Sequence, residues 1–444
     1  MLAEAPDGSP LSFERYITRL KTRKLTRIRG RVTELTGLMI KGAVPGVRIG
    51  EMVEIESQGG RMLKAEVVGF RDKDVMLMPM GSAEGVGPDS EVIPSGRPFE
   101  IRCGLPLLGR VLDGLGEPLD GRPLDMRGLE PWAVERNPPS PLDRDRVTKH
   151  IAFGVRAIDG LLTIGMGQRI GLFAGSGVGK STLMGQIARN CEAEVVICCL
   201  IGERGREVKD FIEESLGEEG MKKSVVVVAT SDNPSLIRQK SAFVATAIAE
   251  WFRDRGAKVL MMMDSTTRFA RAQREIGLAV GEPPARQGYP PSVFAMLPRL
   301  LERTGNSSKG SITALYTVLV AGGDMEEPIS DEVRGILDGH IILNRNLGAR
   351  NHWPAIDILP SLSRVMSGIV PEEHKRAAGK LREVLATYEK QRDLILLGAY
   401  QYGTDPKTDY AIDKIEVVEE FLRQRTEENE PYEDAIQRMI NIFE

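Results

Sequence analysis

Continuous apolar runs alternate with amphipathic segments along residues 153–368 of the chain. The runs are QRIGLFA, EVVICCLIG, SVVVVAT, AKVLMMMD, SITALYTVLV and HIILN. Uninterrupted runs of this length are typical of strands that are buried on both faces of a parallel sheet. Because amphipathic segments separate them, they predict an α/β domain whose helices cover the sheet. A ligand site is expected beyond the carboxyl ends of the strands.

The pattern changes on both sides of this stretch. Between residues 25 and 98, short apolar stretches such as EMVEIES and KAEVVGF alternate with Gly, Asp and Pro, which predicts a small closed or nearly closed β-barrel. From residue 371 the composition becomes helix-forming and predicts a C-terminal α-helical domain. Residues 11–20 have one apolar helical face. That face suits a helix that docks on a partner as well as one that packs on its own domain.

The stretch GLFAGSGVGKSTLMG, residues 171–185, carries the clearest chemistry. A strand-like run leads into a glycine-rich turn, then Lys180 and Ser181, then a helix-like run, which is the order of a Walker A phosphate loop. Glycines let backbone N–H groups turn toward phosphate oxygens, and the helix adds its positive N-terminal end. Lys180 would reach the β- and γ-phosphates, and Ser181 would bind Mg²⁺. The strict pattern has glycine where this chain has Ala174.

A second element follows the apolar run Val259–Met263, which ends at Asp264. A buried strand that ends in aspartate is the Walker B arrangement, and it brings a carboxylate to the metal beside the nucleotide. The alternative is an aspartate that only caps the next turn. We expect Asp264 to bind Mg²⁺ together with Ser181.

A third element, the charged loop 203–207, follows the run EVVICCLIG. Glu203 could orient and deprotonate the attacking water, and Arg204 could hold the γ-phosphate. A surface loop of ion pairs is the alternative on charge and position alone. The arginine that neutralises charge in the transition state often comes from a neighbouring subunit, and spacing alone does not identify it.

Composition narrows the class of protein. The chain has 444 residues, of which 41% are hydrophobic and 27% charged, as in globular proteins of two to four domains. Its net charge of −4 gives no reason to expect nucleic acid or an anionic membrane as the main partner. The four cysteines have no metal-ligand spacing, and Cys198 and Cys199 are adjacent in an apolar run, where they suit small buried hydrophobes, which fits a reducing compartment. The sequence has neither a signal-peptide layout at its start nor an apolar stretch long enough to span a bilayer.

Several longer motifs resemble a known family. PAIDILPSLS, residues 354–363, is similar to the signature of the rotary ATPase α/β superfamily. FAGSGVGKST, LIGERGREVKDF, MDSTTRFARAQREI, GEPPARQGYPPSVF and DGHIILNRNL resemble the ATPases of flagellar and virulence type III protein export. GERGREVKDF stands where ATP synthases have GERTREGND, so the export ATPases are the closer match. The likeness runs from about Leu25 to the end of the chain, and it does not distinguish the flagellar from the virulence system.

The resemblance implies a six-membered ring of identical chains that binds ATP and Mg²⁺ between subunits. It implies that Glu203 is the catalytic glutamate, that Arg204 contacts the γ-phosphate, and that Asp264 is the Walker B aspartate. Arg364, directly after the signature, matches the arginine that reaches into the next subunit's site. The implied nucleotide-binding residues are Gly175, Ser176, Gly177, Val178, Gly179, Lys180, Ser181, Thr182 and Trp353.

The base pocket departs from the family pattern. Trp353 falls where the family usually has a tyrosine that stacks on adenine, and the exchange keeps an aromatic face. The family's second aromatic residue of this pocket has no counterpart near Gln424.

The resemblance also implies the domains and partners. We expect an N-terminal partner or oligomerisation segment (1–24), a β-barrel (25–98), a RecA-like ATP-binding domain (99–370) and a helical domain (371–444). The implied partners are a central coiled-coil stalk-like protein, a peripheral-stalk-like regulator, the export gate and export chaperone–substrate complexes. No specific nucleic acid is expected. The implied location is the cytoplasm, peripheral to the inner-membrane export apparatus.

Three other functions share parts of the pattern. The catalytic subunit of a rotary ATP synthase has the same fold. A ring RNA translocase would need a barrel that stacks bases on aromatic residues, and Phe70 is the only aromatic residue between positions 25 and 98. A non-catalytic nucleotide-binding ring subunit would not need Glu203.

Overall fold

The computed structural model describes Ile17 and residues 28–444. Apart from Ile17, the predicted helix at 11–20 and the remainder of the segment 1–24 lie outside the described residues. The chain divides into two compact units, one ending at Pro98 and the other running from Phe99 to Glu444. None of the helices in the described part combines the length and the apolar character that a bilayer span requires.

The first unit contains a closed antiparallel barrel. Its strands are β1 (Gly30–Thr36), β2 (Met39–Ala43), β3 (Glu51–Glu56), β4 (Met62–Arg71), β5 (Asp74–Pro79) and β6 (Glu91–Pro98), in the order β1-β2-β5-β4-β3-β6. Val53 and Ile55 of β3 are buried while Glu54 between them is exposed, so alternate side chains fill the interior. Phe70 is 53% exposed and takes no part in this core. The predicted barrel is confirmed.

The second unit is built on a nine-stranded sheet. A separate antiparallel pair, β7 (Glu100–Cys103) and β9 (Glu130–Ala133), belongs to the same unit. The sheet strands are β8 (Arg110–Asp113), β10 (Arg169–Ala174), β11 (Val195–Glu203), β12 (Ser224–Thr230), β13 (Lys258–Asp264), β14 (Gly305–Asn306), β15 (Ser311–Leu319), β16 (Gly339–Leu343) and β17 (Ile356–Ser363). Their order is β17-β16-β10-β15-β13-β11-β12-β8, and β14 pairs with β15 outside this path.

The sheet is parallel from β16 to β8, as the apolar runs predict. All nine residues of β11 are buried, which explains its unbroken apolar sequence. Two features differ from the sequence-based interpretation. The signature PAIDILPSLS forms the edge strand β17, which runs antiparallel to β16. The turn-rich stretch after residue 104, where no strand is predicted, contains the edge strand β8, whose four residues are too few to give a recognisable pattern.

Helices cover this sheet and form the C-terminal part. They are α1 (Arg156–Leu161), α2 (Lys180–Asn190), α3 (Gly205–Asp210), α4 (Gly217–Lys222), α5 (Ser235–Arg253), α6 (Thr266–Ala279), α7 (Pro291–Leu301), α8 (Pro328–Ile336), α9 (Arg345–Ala349), α10 (Met366–Ile369), α11 (Glu372–Leu396), α12 (Pro406–Leu422) and α13 (Tyr432–Asn441). A π-helical turn, Phe211–Leu216, joins α3 to α4.

The predicted C-terminal helical domain is confirmed in α11 to α13. Asp405 caps α12 by accepting hydrogen bonds from the backbone N–H groups of Lys407 and Thr408, and Pro406 begins the helix. Phe421 and Met439 are buried in the same apolar cluster as residues of α1 and the central sheet. The helices therefore complete the core of the second unit on the side of the sheet that carries α2.

Candidate active site

The glycine-rich turn lies between the end of β10 and the start of α2. Gly177 and Gly179 have φ angles of 75° and 78°, a left-handed conformation that only glycine adopts at little cost. Ala174, the departure from the strict motif, is the last residue of β10 and is buried in the core cluster, so its methyl group is accommodated outside the turn. The turn and the N-terminus of α2 therefore form a cradle for an anion.

Three predicted residues meet beyond the carboxyl ends of the strands. The Lys180 ammonium forms an ion pair with Asp264 Oδ1 and lies 3.7 Å from Glu203 Oε1. Glu203 is the last residue of β11 and Asp264 the last of β13, and these strands are neighbours in the sheet. All three side chains are largely buried, which strengthens both the attraction of Lys180 to each carboxylate and the repulsion between the two carboxylates.

Glu203 has a second cationic neighbour, Arg268 of α6. Arg268 Nη1 lies 3.0 Å from Glu203 Oε2 and also donates to the carbonyl of Gly202. Burial raises the pKa of Glu203 to about 7; the Asp264 charge and a hydrogen bond with Glu207 act in the same direction, while Lys180 and Arg268 oppose them. A carboxyl group with this pKa can accept and release a proton near neutral pH.

Arg204 is directed away from this cluster. It is the N-cap residue of α3, its side chain is 81% exposed, and its ion-pair partner is Glu207 at 3.8 Å. The cation that contacts Glu203 inside the cluster, besides Lys180, is thus Arg268 rather than the arginine next to Glu203 in the sequence.

Arg364 lies at the edge of the sheet where the parallel strands begin, opposite the edge that carries the phosphate loop. It follows Ser363, which pairs with Gly339 at the amino end of β16. The carboxyl end of β16 lies at the opposite edge of the sheet, where Leu343 pairs with Ala174, the residue before the phosphate loop. The Arg364 backbone N–H donates to Asp338, and the residue is exposed. Within one chain, Arg364 and Lys180 therefore belong to opposite edges.

A cavity of about 250 Å³ adjoins the phosphate loop. Trp353 forms one wall, and its ring lies so close to Gly179 that a Cβ there would be 2.8 Å from ring atom Cζ3. Gln424 closes another side, with its backbone N–H donating to the Trp353 carbonyl at 2.8 Å and its side chain donating to Gly154. The walls include apolar side chains beside polar ones, as suits a nucleotide base. They are Val178, Gly179, Thr182, Leu183, Gln186, Leu343, Trp353, Pro354, Ala355, Gln424 and Thr426.

Ser181 and Thr182 are exposed in the first turn of α2, beside Lys180. One hydroxyl and one carboxylate, Ser181 and Asp264, fit Mg²⁺, because this ion is usually held by one or two protein oxygens together with substrate phosphates and water. Groups of three or more His, Cys, Asp or Glu that could hold a metal by themselves are absent from the described residues.

Sequence reasoning missed several residues of this region. Arg345 donates to the Ser176 carbonyl at 3.1 Å and so supports the loop, and Thr317 donates to Asp264 Oδ1 at 2.7 Å. The only available signal for Arg268 was its position four residues after Asp264 in the motif MDSTTRFARAQREI. Thr317 stands inside an apolar run and gave no signal.

Comparisons with known proteins agree with this geometry. Residues 154–363 match the nucleotide-binding domain of the ATP synthase alpha/beta family, residues 30–96 match its beta-barrel domain, and residues 370–441 match the C-terminal domain of the type III secretion ATPase EscN.

Individual relatives cover nearly the whole chain. The flagellum-specific ATP synthase of Bacillus subtilis is 52% identical over 93% of this chain and 94% of its own length. The type 3 secretion system ATPase of Xanthomonas euvesicatoria is 51% identical over 100% and 99%. The assembled ATPase EscN of enteropathogenic E. coli, solved with its central stalk EscO, is 46% identical, has a TM-score of 0.87, and is matched over 93% of this chain and 99% of EscN. With its barrel, phosphate loop and helical domain, this chain is an ATPase of the ATP synthase alpha/beta family and belongs to the type III secretion and flagellar export branch.

Proposed function

We propose that this chain is the ATP-hydrolysing motor of a type III protein export apparatus. In this proposal, identical chains form a six-membered ring, and each active site is shared by two neighbours. The single observation that carries the shared site is the position of Arg364, exposed at the edge of the sheet opposite Lys180. A head-to-tail arrangement brings one edge of each subunit against the opposite edge of the next, and it closes into a ring when the rotation is right.

The proposed chemistry assigns a role to each polar group. Lys180 and the backbone N–H groups of residues 175–182 bind the phosphates of ATP, and Trp353 stacks on adenine. Ser181 and Asp264 hold Mg²⁺, which when bound neutralises charge on the phosphates. Glu203 accepts a proton from the attacking water, which is supported by its pKa of about 7. Arg364 of one subunit stabilises the transition state on the next.

For Arg204 we retain a γ-phosphate contact as a proposal. Among the described residues its exposed side chain forms an ion pair with the partly exposed Glu207, and the cost of breaking such a pair is small. Its guanidinium would have to leave Glu207 when ATP binds.

Partners and domain roles are also proposals. We assign 1–24 to ring assembly and a peripheral-stalk-like regulator, 25–98 to the barrel of the ring, 99–370 to ATP binding and 371–444 to the central stalk. The relative EscN has been solved in complex with its central stalk EscO, which supports a central stalk as a partner but names no domain. Export gate and chaperone–substrate contacts, and a cytoplasmic position peripheral to the inner membrane, follow from the proposed function.

Mixing two inactive variants tests the shared site. Lys180→Ala chains cannot bind the phosphates, and Arg364→Ala chains cannot complete the neighbour's site. In a one-to-one mixture one interface in four joins an intact Lys180 to an intact Arg364, so we expect up to about a quarter of the wild-type rate. Each variant mixed with more of itself is the control. Two results together would overturn the proposal: no ATP hydrolysis by the mixture, and wild-type chains whose specific activity stays the same when they are diluted to monomers.

A further inference from the structure

Thr317 lies between the strand that leads into the phosphate loop and the strand that ends in Asp264. Strand β15 separates β10 from β13 in the sheet, and Thr317 is paired with Leu172 of β10. Tyr316 is paired with Met263, so one step further along both strands Thr317 stands beside Asp264. Its Oγ1 donates to Asp264 Oδ1 at 2.7 Å, and the residue has no exposed surface.

Asp264 Oδ1 accepts from two groups at once. Lys180 Nζ and Thr317 Oγ1 are its donors among the described residues. The two donors differ in mobility. Lys180 has a long side chain that turns to the phosphates when a nucleotide occupies the loop. Thr317 is β-branched, fully buried and fixed in the middle of the sheet, so its hydroxyl stays in place.

We propose that Thr317 is the positioning residue of Asp264. When Lys180 turns to the phosphates, the Thr317 hydroxyl keeps the carboxylate in its orientation and leaves its other oxygen available for Mg²⁺. Groups of this kind, which hydrogen-bond a metal ligand from behind, commonly affect metal affinity 10- to 100-fold. The proposal deepens the proposed function and rests on it for the identity of the metal ligand.

A purely structural role gives a different expectation. A buried hydroxyl needs an acceptor, and Asp264 could serve Thr317 rather than the reverse. In that case Thr317→Val, which keeps the shape of the side chain, would alter stability without altering the response to Mg²⁺.

The chain offers a matched control on the same strand. Thr313 is also fully buried, and its Oγ1 accepts from the Gly167 N–H at 2.9 Å near the opposite edge of the sheet. Thr313→Val therefore removes an equally buried hydroxyl and a hydrogen bond of similar length, about 13 Å from Thr317 along the strand.

The experiment measures binding of a fluorescent ADP analogue with Mg²⁺ and with a chelator. Wild type, Thr317→Val, Thr317→Ser and Thr313→Val are compared, and circular dichroism checks their folding. We expect equal affinity for all four in chelator. We expect the gain in affinity from Mg²⁺ to be about tenfold smaller in Thr317→Val than in wild type, and restored in Thr317→Ser. The half-saturating Mg²⁺ concentration for ATP hydrolysis should rise by a similar factor in Thr317→Val alone.

The proposal would be overturned if Mg²⁺ increased the affinity of Thr317→Val for the ADP analogue as much as it does in wild type. It would also be overturned if Thr313→Val lost as much of this Mg²⁺-dependent affinity as Thr317→Val. If Thr317→Val does not fold, Thr317→Ala is measured in its place with the same two outcomes. Because nucleotide binding by one chain needs no Arg364, a failure of the shared-site experiment leaves this result interpretable by itself.

Discussion

The guanidinium of Arg268 lies 3.0 Å from the carboxylate of Glu203, whose other oxygen lies 3.7 Å from Lys180 Nζ, and all three groups are mostly buried. This contact couples helix α6, which begins directly after the Asp264 strand, to the residue that ends the neighbouring strand. Lys180 and Arg268 face Glu203 and Asp264 in this cluster, and the two cations offset part of the burial and repulsion that raise the pKa of Glu203. The two cations therefore help two buried acids to share one sheet edge.

We predict that Arg268→Ala lowers turnover and moves the pH dependence. The Arg268 charge holds the pKa of Glu203 down, so removing it raises that pKa, and the base becomes protonated at higher pH. The acid limb of the rate profile should therefore shift to higher pH, with kcat at pH 7 at least tenfold lower. Arg268→Lys keeps the charge and should keep the midpoint. The midpoint of the acid limb is measured from phosphate release between pH 5.5 and 9 in wild type and both variants. An unmoved midpoint in Arg268→Ala would contradict the role of Arg268 in lowering the pKa of Glu203.

The wild-type enzyme should itself lose activity in mildly acidic solution. Burial raises the pKa of Glu203 to about 7, and only the deprotonated form accepts a proton from water. At pH 6 about one tenth of the chains carry the ionised base, so kcat should be about one tenth of its plateau at pH 8.5. Nucleotide affinity measured over the same range separates this effect from loss of binding. A rate that is flat between pH 6 and pH 8.5 would show that Glu203 does not limit hydrolysis.

For Arg364→Ala we expect intact ATP binding and a turnover lower by roughly 10³-fold or more. The side chain is exposed in the chain, so its removal should leave the melting temperature unchanged. Arg376→Ala, an exposed arginine on α11, is the matched control. Equilibrium binding of a fluorescent nucleotide and steady-state ATP hydrolysis are the two measurements. Near-normal turnover would remove Arg364 from the site.

The cluster at the strand ends could be predicted because Glu203 and Asp264 each end an apolar run and Lys180 begins the helix after the glycine-rich turn that follows a third run. Lys180, Glu203 and Asp264 all follow parallel strands, and the carboxyl ends of such strands share one edge of the sheet. The barrel and the helical domain were predictable for a similar reason, since their patterns extend over many residues.

Other parts of the site depend on contacts that no local pattern contains. Arg204 adjoins Glu203 in the sequence, yet the change from strand to helix at that point directs its side chain to solvent. Thr317 reaches Asp264 through the register of β15 against β13, and Arg268 reaches Glu203 because α6 packs against the end of β11. Both arrangements are properties of the folded sheet. Gln424 reaches Trp353 from the C-terminal domain, far along the chain.

The two left-handed glycines of the phosphate loop provide a test of the Trp353 wall. Gly177 and Gly179 have φ angles of 75° and 78°, so alanine costs each about 1–2 kcal/mol of backbone strain. A Cβ at Gly177 meets no atom within 4 Å, whereas at Gly179 it would lie 2.8 Å from the Trp353 ring. Gly179→Ala should therefore weaken ATP binding at least fivefold more than Gly177→Ala.

The double variant Gly179→Ala/Trp353→Ala locates the cause of that difference. If the ring creates the clash, Gly179→Ala should lower ATP affinity in the Trp353→Ala background no more than Gly177→Ala does in wild type. Without the indole, only the backbone strain of the left-handed residue remains. Affinity is measured by titration with a fluorescent ATP analogue, and Trp353→Phe, which keeps an aromatic face, is the control for stacking. If Gly179→Ala weakens binding to the same extent with and without the indole, the ring does not press on the loop. Adenine stacking on Trp353 would then need another source of support.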